Sequence, residues 1–302
     1  MERKYRNHWD RKEVIQCYLM AAGSVIGMIV FVVIPLIWIM RWCLFSYKGY
    51  GAVRFVGLDN FVRVFMRSDK YWLAVKNTFV FAFGKLLVEI PLALVLAFIL
   101  TRRLKGRDFF RSVFFMPSML SVAVIGVVFT YLFNHNQGVV NSAIKLMGGQ
   151  GVKWFSDGTT AMIMLMIVSI WQNFGINMLF FMTGLQSIPP ELYEAAAIDG
   201  ANAIQKLISI TIPNMKSCFA LLFVTGMING LARFTDIFIL GGMDCYGGAG
   251  GTLQTILMYV YQYSFETPNY GIASAGAMVL FVLVFIMTMV NVKLTGFLKD
   301  EV

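Results

Sequence analysis

Residues 191–201 read ELYEAAAIDGA, with Ile212-Pro213 following shortly after. The stretch is acidic, rich in alanine and only mildly hydrophobic, yet apolar runs stand on both sides of it. Pro189-Pro190 opens it, and proline suits a first helical turn, where its missing N–H costs nothing. Glu191 and Glu194 fall in the early turns, where carboxylates meet the positive end of a helix. Ala195, Ala196 and Ala197 supply helix propensity and a shallow, flat face. Gly200 supplies a stop. Asn202 with Gln205 three residues on predicts a capping box for a second helix. Ile212-Pro213 ends that second piece. A mere connector could be far shorter than this helix, break and helix. An element resting on lipid headgroups would carry Lys or Arg and bulky apolar residues. ELYEAAAID has two Glu, one Asp and no basic residue, so anionic lipid would repel it. Docking onto another protein is the better reading of the segment.

The surrounding chain is 302 residues long, 58% hydrophobic and 14% charged, with mean hydropathy +0.71. Soluble domains have about 45–50% apolar and about 25% charged residues. Both shifts point to a polytopic membrane protein. The net charge of +9 belongs to Lys and Arg placed between apolar runs, where positive charge sets topology. No nucleic-acid motif accompanies it, and no nucleic-acid partner is expected. Cys17, Cys43, Cys218 and Cys245 are scattered, with no CxxC. Unpaired thiols are the expectation, with an outer Cys43–Cys245 disulfide as the minority alternative. His8 and His135 make no metal site.

A membrane span needs about 20 apolar residues. Six segments qualify, at about 17–40, 77–100, 112–133, 160–185, 213–240 and 271–292. The first is too long for a signal-peptide core and is read as a retained span. The whole chain, 1–302, is one all-α transmembrane domain, and residues 186–213 form the loop between spans four and five. The N-terminal tail and the TRRLKGRDFFR loop (101–111) are strongly basic, whereas 241–270 has no Lys or Arg. Both termini and the 186–213 loop are therefore placed in the cytoplasm. Residues 41–76 dissent, being outside yet basic. Within them LDNFVRVFMRSD has apolar residues at helical spacing and predicts a short amphipathic helix on the outer surface.

Glu194, Ala195, Ala196, Gly200 and Pro213 match EAA, three residues, glycine, then Ile and Pro further on. The run from Trp171 to Pro213 resembles the coupling loop of membrane subunits of binding-protein-dependent ABC importers. FVGLDNF (55–61), KGRDFFRSVFFMP (105–117) and NYGIASAGAM (269–278) resemble the sugar-importing branch, which includes maltose and glycerol-3-phosphate permeases. NAIQKLIS (202–209) departs from the family, whose members often carry Arg and Trp there. The resemblance implies a prokaryotic plasma-membrane protein with six spans. It implies an EAA helix, with Glu191, Glu194, Ala195, Ala196, Asp199, Gly200 and Pro213, docked in a cleft of a cytoplasmic ATPase dimer. It further implies a second, homologous permease and an extracellular solute-binding protein. A carbohydrate, an oligosaccharide or another small polar solute such as a phosphorylated polyol, would be the cargo. The chain has no GxxxxGK[ST] phosphate loop. It is expected to be no enzyme and to bind no cofactor, with ATP and Mg on the partner ATPase.

Candidates for the solute path come from the span faces. In span five Asn229, Arg233 and Asp236 are spaced to share one helical face, as a polar cavity wall or as an ion pair between subunits. In span four Asn173 and Asn177 share a face beside Trp171 and Gln172. Amides and an aromatic ring suit a sugar, and amides equally serve interhelical hydrogen bonds. Lys85 and Glu89, four apart, neutralise each other as a structural pair. Met162, Met164 and Met166 read as lipid-facing or core fillers and not as a metal path. A stand-alone secondary transporter would instead show inverted repeats and an ion-coupling carboxylate near mid-span. No such repeat is visible.

Overall fold

In the computed structural model, residues 11–102, 104–155, 158–242 and 251–295 are described. The first span is α1 (Arg11–Met28) and α2 (Ile34–Trp42), joined by a π turn at Ile29–Val33. A hairpin of β1 (Phe45–Ser46) and β2 (Arg54–Phe55) and a short helix, α3 (Asp59–Met66), lead into α4 (Asp69–Thr101). α5 (Arg107–Phe115), a 3-10 turn (Met116–Met119) and α6 (Val122–Leu132) make the third span. α7 (Val139–Leu146) and α8 (Gly158–Gln186) follow. The loop after α8 contains α9 (Pro190–Ile198), α10 (Ala203–Lys206), a π turn (Leu207–Thr211) and α11 (Ile212–Asn214). The fifth span is α12 (Lys216–Leu231) and α13 (Thr235–Leu240). α14 (Ile256–Tyr261) precedes the final helix, α15 (Tyr270–Thr295).

Among the described residues four helices are long and apolar enough to cross a membrane, and up to six if Arg107–Met119 with Val122–Leu132 and Ala203–Asn214 with Lys216–Leu231 each count as one bent span. The expected number of spans is reached when each bent pair is counted as one, and two of the expected spans are not single helices. Residues 112–133 are not one helix: Arg107–Met119 and Val122–Leu132 meet at 97°. Pro117 withholds a backbone N–H at the bend, and Leu120 and Ser121 adopt extended backbone. Residues 213–240 are not one helix either. The chain turns by 69° at Met215, between the Ala203–Asn214 stretch and α12. It then breaks again at Ala232–Phe234.

α4 and α8 form the centre of the bundle, and α12 crosses α4 closely. A Cβ on Gly230 would stand 2.9 Å from the Ala82 Cβ, and one on Gly226 would stand 2.4 Å from Leu86. Small residues four apart are what lets two helices approach without a solvent-driven hydrophobic term. At one end of the bundle Leu100, Phe181, Leu185, Met215 and Leu222 make an apolar cluster beneath α9. At the other end α3, α14 and α15 pack against α4.

The LDNFVRVFMRSD helix forms as α3, but its Val64 is fully buried in the protein core. Asn60 donates to the carbonyls of Cys43 and Phe45 and so locks the hairpin to the helix. α14, within the 241–270 segment, is a helix that the sequence reading does not predict. Thr255 caps it by accepting from the Met258 N–H at 3.4 Å, and Ile256, Met258 and Tyr259 are buried. Cys43 is buried and its thiol donates to the Ile39 carbonyl. The Cys245 half of the considered disulfide lies outside the described residues.

Candidate functional site

Two groups of residues stand out, a solvent-facing helix at one end and a buried polar cluster in the bundle. α9 has Pro189 as its N-cap and Pro190 in its first turn. It ends in a double closure. The Ala201 N–H donates to the Ala196 carbonyl at 2.9 Å, and the Gly200 N–H to the Ala197 carbonyl at 3.2 Å. This Schellman arrangement needs a left-handed residue, and Gly200 has φ +76°. The expected capping box is present in α10: Gln205 N–H donates to Asn202 Oδ1 at 2.9 Å, and Asn202 N–H donates to Gln205 Oε1 at 2.7 Å.

The helix is mounted rigidly. The Tyr193 hydroxyl meets Thr211 Oγ1 at 2.9 Å, and Thr211 is buried. Tyr193 and Ile210 pack on the apolar cluster that holds Met215. Above this base Glu191, Glu194, Ala195, Asp199 and Gly200 are exposed, and Ala196 is half-buried. Pro213 is exposed on α11, at the far end of the same segment. Sequence reasoning missed Ile198, which is 87% exposed, with Ile204 and Ile208 also open. Its signal was present in the sequence: an apolar residue between an alanine run and Asp199 has no neighbour within α9 to cover it.

A Gly200→Val change isolates the cap. A Cβ there meets nothing within 4 Å, so the cost is conformational, about 1–2 kcal/mol for a non-glycine residue in the left-handed region. The expected outcome is normal abundance in the membrane with loss of function through a misdirected α9. Normal uptake by the variant contradicts this role.

The buried cluster joins α4, α8 and the fifth span. Lys85 Nζ lies 3.3 Å from Glu89 Oε2, with both side chains 1% exposed. Asn177 Nδ2 donates to Glu89 Oε1 at 2.5 Å. Arg233 Nε donates to Asp236 Oδ2 at 2.8 Å, and Arg233 Nη2 to Gln172 Oε1 at 2.5 Å. Gln172 Nε2 in turn reaches the Leu120 carbonyl at 3.4 Å. Each of these two cations thus has its own carboxylate, at 3.3 Å and 2.8 Å, which is how buried charges persist.

Gln172, Asn177, Arg233 and Asp236 are thus brought together, and the Lys85–Glu89 pair, read as structural, is part of the same cluster. The shared face of Asn229, Arg233 and Asp236 is not found. The helix breaks at Ala232–Phe234, Asn229 is exposed on α12, and Asp236 is buried on α13. Asn173 donates to the backbone carbonyl of Ser169, one turn back, at 2.7 Å. Trp171 is partly exposed and packs against Phe129. Met162 and Met164 are buried core, as read.

Residues 89–295 match a family model described as binding-protein-dependent transport system inner membrane component. The chain is 32% identical over 288 residues to the arabinooligosaccharides transport system permease protein AraP of Bacillus subtilis, spanning 94% of this chain and 90% of that protein. It is 30% identical over 284 residues to the trehalose/maltose transport system permease protein MalF of Thermococcus litoralis, spanning 94% of each. It is also 30% identical over 274 residues to the sn-glycerol-3-phosphate transport system permease protein UgpA of Agrobacterium fabrum, spanning 90% of this chain and 91% of that one. A chain in the crystal structure of a bacterial ABC transporter that imports the acidic polysaccharide alginate shares the fold. The TM-score is 0.78, at 23% identity, over 94% of this chain and 96% of that chain.

Proposed function

The chain belongs to the inner membrane components of binding-protein-dependent transport systems, and from that premise we propose that it is a permease subunit of an ATP-driven importer of carbohydrate, most simply an oligosaccharide. The observation that carries the coupling half of this reading is α9. It is a rigidly mounted helix that presents three carboxylates and a bare Ile198. Partner clefts with basic rims and an apolar floor fit such a surface.

In this reading α9 and both termini are cytoplasmic, and α9 seats in one protomer of an ATPase dimer that holds ATP and Mg. This chain binds no nucleotide and catalyses nothing. Closure of the ATPases pushes α9, and the two permeases rock between inward- and outward-facing states. An extracellular binding protein delivers the sugar. The solute path runs beside α8 and α12, with Trp171, Asn173 and Asn229 as its candidate polar wall. Gln172, Asn177, Arg233 and Asp236 lie behind that wall, already paired. Likeness to the glycerol-3-phosphate permease keeps a phosphorylated polyol as the second cargo reading. A panel of labelled arabino-, malto- and manno-oligosaccharides and glycerol 3-phosphate, offered to the reconstituted assembly, separates the two.

Affinity purification of the tagged chain from its native membrane tests the assembly. The expected result is a second, related permease of different sequence, an ATPase and, with substrate present, a secreted binding protein. A complex with this permease as its only membrane species would replace the heterodimer with a homodimer. A chain recovered with no ATPase would contradict the function.

A further inference from the structure

The two broken spans meet at one side chain. Span three breaks at Leu120–Ser121, and span five breaks at Ala232–Phe234. Gln172, 5% exposed in the middle of the unbroken α8, donates to the Leu120 carbonyl and accepts from Arg233. One amide thus uses its donor on the first break and its acceptor on the second. Beyond the breaks, α6 and α13 pack against each other. Gly126 of α6 lies so close to Ile239 of α13 that a Cβ on the glycine would stand 3.2 Å from it. Phe129 of α6 joins the cluster that holds Ile237 and Leu240 of α13. Non-helical backbone at membrane depth persists where protein satisfies its polar groups, and alternating access in transporters is largely rigid-body rocking of one group of helices against another.

We propose that Gln172 is a positioning residue that yokes the two breaks, so that α6 and α13 turn as a single leaf against α8 during transport. This rests on the importer reading and assigns Gln172 to the moving frame, away from the cavity wall. Without the yoke each half-helix finds its own angle, and ATPase closure no longer forces one outward-facing state.

The test uses the full assembly in proteoliposomes, with Gln172→Leu and Gln172→Glu. The leucine variant removes both hydrogen bonds. The glutamate variant keeps an acceptor for Arg233 and loses the donor to Leu120. Coupling free energies between sites are worth about 5–150-fold, and the expected rise in ATP hydrolysed per sugar imported for Gln172→Leu is about tenfold. The half-saturating sugar concentration stays unchanged. Gln172→Glu falls between Gln172→Leu and the wild type.

Spin labels at Val124 on α6 and Thr235 on α13, each measured against Ile163 on α8, report the leaf. Both distances shift together on nucleotide trapping in the wild type and separately in Gln172→Leu. A raised half-saturating concentration with normal coupling overturns the proposal in favour of a wall residue. So does a Gln172→Glu variant that matches wild type in coupling and distances, and this arm stands even where Gln172→Leu fails to assemble. A wild-type assembly whose ATP hydrolysis ignores sugar overturns the importer reading and this inference with it. A coupled wild type beside an equally coupled Gln172→Leu overturns this inference alone.

Discussion

Glu89→Leu is expected to cost the folded permease about 3–5 kcal/mol, the usual penalty for removing one partner of a buried ion pair. Lys85 is 1% exposed and sits inside α4 with Glu89 as its ion-pair partner. Removing the carboxylate strands an ammonium in the bundle and also deprives Asn177 of its acceptor on α4. The measurement is thermal unfolding of the detergent-purified permease, beside its abundance in the membrane. The double variant Lys85→Met/Glu89→Leu should recover most of the loss, since apolar replacement of a buried pair is commonly neutral or stabilising. A single variant as stable as wild type would remove the cluster from the stability account.

Glu194→Lys and Ile198→Asp are expected to release the ATPase while leaving the permease folded. Both side chains are exposed on α9, so neither change strands a buried group. Glu194→Lys reverses a charge at the proposed cleft, at the middle of α9. Misplaced charge at an interface costs several kcal/mol, and each 1.4 kcal/mol is about tenfold in affinity. Ile198→Asp puts a carboxylate where an apolar anchor would enter a pocket. Copurification of the ATPase reads both variants. Asn229→Leu on α12 is the contrast, retaining the ATPase while changing sugar uptake. An ATPase retained at wild-type strength by both α9 variants would contradict the docking role.

How much of this was legible in the sequence follows from how local each signal is. α9, its proline entry, its Gly200 exit and the Asn202–Gln205 box depend on neighbours within a few residues, and all are where the sequence placed them. The spans are legible because hydropathy over about 20 residues is a compositional property. The break at Ala232–Phe234 carries no proline or glycine to announce it. It is held by Arg233 reaching Gln172, 61 positions away in the chain. The Asn177–Glu89 bond joins residues 88 apart, so the i,i+4 spacing of Lys85 and Glu89 revealed the pair and not the cluster. α14 was missed because six residues are too few for a span, and burial between α4 and α15 is a tertiary fact.

The central claim is that ATP hydrolysis by a partner drives a carbohydrate through this chain by way of α9. It is tested most directly in proteoliposomes containing both permeases and the ATPase, with ATP sealed inside and binding protein plus labelled oligosaccharide outside. The account predicts accumulation of label that needs ATP and binding protein, and that Glu194→Lys abolishes by loss of the ATPase. Accumulation that proceeds without ATP on an ion gradient, or that survives Glu194→Lys with the ATPase removed, would contradict it.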